Sequence, residues 1–208
     1  MEKYRNKYRI KSNRLQNWDY GWSGHYFVTI CTAKKSRYFG DIDGQKNIVV
    51  LSEIGEIAYK CWMEIPQRFP FVQLKEFVVM PNHVHGILVL SGNKNFEDQK
   101  NNVNDDTYVE TRHALSLGTN PYPNPRLESQ SQTVGVKRFQ NQGQNTLSSI
   151  IGSYKSAVTR YAHRSGFYFF WQSRFYDHVI RNDESLLSIQ DYIKNNPLKW
   201  IYDKYYEE

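Results

Sequence analysis

The sequence predicts an α+β fold: a ferredoxin-like split βαβ whose four-stranded antiparallel sheet carries its helices on one face, with a helix added at the C-terminus. Three observations predict it. Hydrophobic periodicity switches between strand and helix in the order β-α-β-β-α-β, followed by a last helix. Two apolar runs, Val72 to Met80 and His83 to Leu90, are parted only by Pro81-Asn82, a hairpin signature. The chain has 208 residues and only Cys31 and Cys61, so it must build a core without disulfides, and it is long enough to do so.

The elements follow in order. His25 to Ala33 is aromatic and β-branched and reads as the first strand. Leu51 to Phe69 places Leu51, Ile54, Ile57, Ala58, Cys61, Trp62 and Ile65 at helical spacing, with Ser52 as N-cap and Pro66 near the end. The hairpin strands come next. From 91 to about 145, Asn, Gln, Ser, Thr, Gly and Pro dominate without periodicity, which predicts an insertion lacking regular structure. Order resumes at Leu147, where Leu147, Ile150, Ile151, Tyr154, Val158 and Tyr161 share one helical face and Lys155, Arg160 and Arg164 lie opposite. Phe167 to Ile180 reads as the fourth strand region. Asp183 caps a last helix with Leu186, Ile189 and Ile193 on its apolar stripe, ending at Asn196-Pro197. The expected organisation is a basic segment over 1–24 and one domain over 25–208, interrupted by the insertion.

The formal charge is +6, and sixteen tyrosines and five tryptophans are interleaved with the basic residues. Cations for phosphates and rings for bases are the footprint of nucleic-acid binding. Met1 to Arg14 has no apolar core of the secretory kind, and no apolar stretch approaches the ~20 residues of a spanning helix. The composition therefore predicts a cytoplasmic protein with no membrane partner, and the sparse cysteines fit a reducing compartment.

The chemistry concentrates in two places. His83 and His85 flank one aliphatic residue, so on a strand they share a face, about 7 Å apart along the chain and within reach of one metal ion. Taken alone, such a pair can also sit at a solvated strand edge. Tyr192 and Asn196 are four residues apart, share a helical face and lie off the Leu186/Ile189/Ile193 stripe. Taken alone, Tyr192 can be a packing tyrosine and Asn196 a helix cap.

Together, VVMPNHVHGILVL, WQSRFYDHVIR and DYIKNNPLKW resemble the single-tyrosine transposases of the HUH endonuclease superfamily, in particular the REP-associated tyrosine transposase branch. The resemblance spans about His25 to Lys199 and leaves out the insertion and the first twenty residues. It implies that the added C-terminal helix is the catalytic one. His83 and His85 would be metal ligands, and Asn196 would supply a third ligand through its amide oxygen. Tyr192 would be the nucleophile, leaving a 5′-phosphotyrosine and a free 3′-OH on single-stranded DNA that bears a hairpin. Some relatives carry Gln at the position of Asn196, and either amide offers a carbonyl oxygen. The resemblance allows a homodimer as well as a monomer.

Physical chemistry is consistent with those roles. A tyrosine hydroxyl titrates near 10 and needs help to attack at neutral pH. Two imidazoles and an amide oxygen, with no thiolate, suit Mg²⁺ or Mn²⁺ better than a closed zinc site. A tyrosyl phosphodiester conserves bond energy, in keeping with a chain that lacks GxxxxGK[ST].

Lys155, Arg160, Arg174, Arg181, Lys11 and Arg14 are expected contacts to the DNA backbone. Trp171 and Phe175 are expected in the core before they are expected to stack bases. Tyr154, on a buried stripe, is expected to pack. Two other readings stand beside the transposase: a domesticated nucleic-acid-binding protein on the same fold that has lost strand transfer, and a structural zinc protein pairing the histidines with Cys31 or Cys61.

Overall fold

A computed structural model describes residues 3–4, 7–8, 18–91 and 145–206. The insertion predicted over 91–145, along with Lys11 and Arg14, falls almost wholly outside the described residues. Two-residue strands β1 (Lys3–Tyr4) and β2 (Lys7–Tyr8) pair in the basic N-terminal segment. The principal strands are β3 (Gly24–Cys31), β6 (Val72–Met80), β7 (His83–Leu90) and β8 (Tyr176–Ile180). They form one sheet in the order β6-β7-β3-β8, antiparallel throughout. This is the predicted split βαβ, with strands from both sides of 92–144 in a single sheet.

The period-2 alternation of β7 sorts its side chains to two faces. Val84, Leu88 and Leu90 enter a core formed with Tyr26, Val28 and Ile30 of β3 and with two helices, α1 (Glu53–Met63) and α3 (Leu147–Arg164). His83, His85 and Ile87 face the other way. There Phe27, Ile87 and Ile180 pack against Leu186 and Ile193 of the last helix, α4 (Asp183–Asn195). The sheet is therefore covered on both faces, and the histidines lie under α4. Gly86, next to His85, is required by packing: a Cβ there would stand 2.3 Å from the buried Trp62 indole.

Several boundaries differ from the sequence reading, each for a physical reason. The predicted helix over 51–69 is two helices, α1 and the short α2 (Ile65–Arg68). Pro66 lacks an N–H and its ring clashes with the carbonyl four residues back, so the helix stops at Glu64 and restarts. Ser52 is the N-cap, accepting from Gly55 N at 3.1 Å. A hairpin of β4 (Gly40–Asp43) and β5 (Ile48–Leu51) had not been predicted. Its marks are Asp43-Gly44 and Asn47, which takes the left-handed backbone (φ 54°).

Of the predicted strand region 167–180, only β8 joins the ladder fully. Trp171 makes an isolated bridge to Thr32, because β3 ends at Cys31 and offers no further register. Asn182 caps α4, accepting from Ser185 N at 2.8 Å; Asp183 lies in the first turn, where its charge favours the helix N-terminus. Tyr161 is exposed, and its place on the buried face of α3 is taken by Ala157 and Ala162.

Candidate active site

His83 opens β7 directly after the two-residue turn Pro81-Asn82, and both it and Asn82 are fully buried. The Asn82 amide nitrogen donates to the carbonyls of Lys35 (3.0 Å) and Tyr205 (2.7 Å), which fixes the orientation of its amide. Its oxygen is therefore an acceptor, and it lies 2.8 Å from His83 Nδ1. Nδ1 must then carry the proton, leaving Nε2 a bare lone pair. Lys34 and Lys35, in the turn that Asn82 grips, take left-handed backbone (φ 52° and 50°), a strained choice for two non-glycine residues.

His85 has a partner on each ring nitrogen. Its Nδ1 lies 2.8 Å from Thr29 Oγ1, and its Nε2 lies 3.1 Å from the Tyr192 hydroxyl. The Tyr192 hydroxyl also donates to Asp203 Oδ2 at 3.5 Å, so the contacts on the two ring nitrogens of His85 suit either tautomer. The two rings lean together, with centroids 4.4 Å apart, closer than the rise along the strand. Burial lowers both imidazole pKa values: His83 is pushed down to about 3, also by the Lys204 charge, and His85 well below its ordinary 6.5, also by the neighbouring His83. Both are neutral at pH 7 and able to offer lone pairs.

Helix α4 brings Tyr192 and Asn196 over the pair. Tyr192 is 41 % exposed, its ring edge-on to Phe27 and His85. Its hydroxyl pKa is raised, first by burial and then by the Asp203 charge. Asn196 caps the helix and is buried. Its amide nitrogen donates to Asp203 Oδ2 at 3.0 Å, which aims its oxygen elsewhere. Among the described residues, four buried side-chain polar atoms lack a hydrogen-bond partner, and two of them are His83 Nε2 and Asn196 Oδ1. Leaving a buried acceptor bare costs ~1–3 kcal/mol, so two in one site point to a missing partner.

The residue that sequence reasoning missed is Asp203. It follows the 3₁₀ turn Pro197–Tyr202, which the buried Trp200 pins beside His83 (centroids 6.0 Å). Donor atoms of His83, His85 and Asp203 lie within 4.8 Å of one another. Asp203 also accepts from Tyr205 N at 2.7 Å, and the Tyr205 ring lies 4.6 Å from His83. Trp200 and the tyrosine pair after Pro197 were the available signal that the chain turns back onto the site. The two imidazole nitrogens, the Asn196 oxygen and the Asp203 carboxylate fit a divalent cation that accepts nitrogen and oxygen donors. Beside them opens a cleft of ≈ 370 Å³ whose rim includes Tyr192, Asn196, Lys199 and Lys204.

The structure thus brings together Tyr192, His83, His85 and Asn196. Of the expected DNA contacts, Lys155, Arg160, Arg174 and Arg181 fall among the described residues, and none of them lines this cleft. Lys155 is half-buried on α3, its Nζ donating to Gln172 O at 2.6 Å, and burial lowers its pKa. Arg160 and Arg174 are exposed, and Arg181 is exposed with its guanidinium 5.8 Å over Trp18. Tyr154 is buried, donating to Ala58 O at 3.2 Å, and Trp171 and Phe175 pack on the core. Cys31 and Cys61 are free and buried, and neither belongs to the cluster of donors around His83 and His85.

A Haemophilus influenzae protein without an assigned function is 34% identical over 197 residues, covering 94% of this chain and 92% of that one. The chain belongs to the family of that protein. No family model matches it. Among solved structures, a REP-associated tyrosine transposase bound to a REP hairpin is similar at a TM-score of 0.51 and 18% identity. That likeness covers 94% of this chain and 77% of the transposase, and at this identity it is a likeness of fold. Among the described residues, no helix is long and apolar enough to cross a membrane.

Proposed function

We propose that this chain is a metal-dependent single-stranded DNA endonuclease and strand transferase, a transposase acting through Tyr192 on DNA that bears a hairpin. One observation carries the reading: His83 Nε2 and Asn196 Oδ1 are buried acceptors without a hydrogen-bond partner, and the partly exposed Tyr192 reaches His85 Nε2 and, like Asn196, Asp203 Oδ2. The fold shared with a hairpin-bound transposase supports the choice of substrate.

In this mechanism Lys199 and Lys204, at the rim of the cleft, attract the phosphodiester. Tyr192 Oη gives up its proton to solvent and attacks phosphorus, the bond from phosphorus to O3′ breaks, and the 3′ oxygen leaves as a hydroxyl after taking a proton from solvent. The product is a tyrosyl 5′-phosphate that a second 3′-OH can attack in reverse, so strand transfer needs no nucleotide cofactor. His83, His85 and Asn196 would hold Mg²⁺ or Mn²⁺, with Asp203 either a fourth ligand or the group that orients Asn196. Such an ion would supply positive charge against that developing on the phosphate and would favour the phenolate, which burial and Asp203 oppose. The Tyr192 hydroxyl lies 3.1 Å from His85 Nε2, the nitrogen through which His85 would hold the ion, so a bound ion would compete with this contact.

The test uses hairpin oligonucleotides from the DNA flanking the gene, labelled at the 3′ end and incubated with Mn²⁺. Products are resolved on a denaturing protein gel. A metal-dependent covalent band in wild type and Tyr154→Phe, absent in Tyr192→Phe, is the expected result. Binding without an adduct for every hairpin and metal tried would favour the domesticated binding protein.

A further inference from the structure

Among the described residues outside the site, Tyr168 and Phe170 form an exposed aromatic pair. Tyr168 is 80 % and Phe170 43 % exposed, and their rings meet edge-on at 4.6 Å. Phe169 between them is buried, so the segment is fixed from beneath while its neighbours point outward. His163, whose Nε2 lies 3.1 Å from Phe169 O, sets its ring 6.0 Å from Phe170. Arg160, His163 and Arg164 stand at i, i+3 and i+4 and share one exposed face of α3. From 145 to 176 the chain carries Lys155, Arg160, Arg164 and Arg174 and no Asp or Glu.

The platform is also tied to the active site. Ala33 N donates to Phe170 O (2.9 Å), and Thr32 N donates to Asn82 O (2.9 Å). Residues 170 and 82 therefore flank the same end of β3 from opposite sides, about 10 Å apart by strand spacing.

We propose that Tyr168 and Phe170 form a base-stacking platform for the single-stranded part of the DNA substrate, with Arg160 and Arg164 holding its phosphates. The inference rests on the proposed function for its choice of DNA. Rings stack on any base, and basic residues on a helix that itself carries no carboxylate suit a polyanion. Stacking needs unpaired bases, so the platform selects single strands over duplex and feeds them toward His83.

The test measures equilibrium binding of the full chain to a fluorescent single-stranded oligonucleotide and to a duplex of equal length, with EDTA present so that no chemistry intervenes. Tyr168→Ala and the Tyr168→Ala/Phe170→Ala pair should weaken single-strand binding from roughly 5-fold to over 100-fold per stacked base. Duplex binding and the salt dependence should stay unchanged, and Tyr168→Phe should bind as wild type does. Arg160→Ala/Arg164→Ala should instead flatten the salt dependence. Unchanged single-strand affinity in both aromatic variants, or an equal loss for duplex, overturns the proposal. The covalent adduct is scored separately: a wild type that forms no adduct yet loses binding in these variants refutes the nuclease and leaves the platform standing.

Discussion

Asn82→Ala is the perturbation that reports most on how the site is built. The side chain makes three hydrogen bonds: to Lys35 O, to Tyr205 O and from His83 Nδ1, at 3.0, 2.7 and 2.8 Å. At about 1 kcal/mol each, their loss destabilises the fold by roughly 3 kcal/mol. The functional effect is separable from this. Without the Asn82 oxygen nothing holds the proton on Nδ1, and His83 no longer presents Nε2 to the site in a fixed tautomer. Losing such an orienting partner typically costs 10–100-fold in metal affinity. Isothermal titration of Mn²⁺ into wild type and variant, at a temperature where circular dichroism shows both folded, reads this directly. A change below about twofold would refute the tautomer argument, whatever the change in melting temperature.

Other perturbations give equally definite outcomes. Tyr192→Phe removes the hydroxyl that competes for His85 Nε2, so Mn²⁺ should bind about 3–10-fold tighter by titration, the worth of one hydrogen bond; weaker binding would make the hydroxyl a ligand. Gly86→Ala forces a methyl to within 2.3 Å of the Trp62 indole and should destabilise by about 2–3 kcal/mol or more in urea unfolding. For pH, the native pKa of His83, about 3, lies below its unfolded value near 6.5, so between the two the unfolded state binds the extra proton. The stability is whole above pH 6.5 and falls as pH drops toward 3, by about 1 kcal/mol per unit for His83. Urea titrations in chelator should show this slope reduced in His83→Gln, and an identical slope would contradict it.

Much of the fold was legible because strong local signals agreed. The edges of β6 and β7 and the Ser52 cap match the sequence reading, since Pro81-Asn82 and Ser52 act within a few residues of themselves. The β4–β5 hairpin escaped because its strands are four residues each and half-exposed, too short to show a period. The aromatic run before β8 misled because period 2 reports alternate burial. Phe169 is buried and its neighbours exposed without a partner strand beside them. In the site, spacing put His83 with His85 and Tyr192 with Asn196 on shared faces because each pair follows one regular element, while their assignment to one site came from the resemblance. Asp203 and Asn82 could not. Asp203 reaches the site through a 3₁₀ turn docked by Trp200, and the role of Asn82 depends on carbonyls 47 and 123 residues away.

The structure also places a second tyrosine at the histidines. Tyr205 lies nearer to the His83 ring, at 4.6 Å, than Tyr192 does to the His85 ring, at 5.2 Å. The decisive measurement is therefore where the DNA becomes attached. Wild-type protein would be reacted with hairpin oligonucleotide and Mn²⁺, digested with nuclease and protease, and mapped by tandem mass spectrometry. The account predicts a nucleotide phosphate on the peptide carrying Tyr192 and an unmodified Tyr205. A modified Tyr205, or an adduct on any other residue, would contradict it.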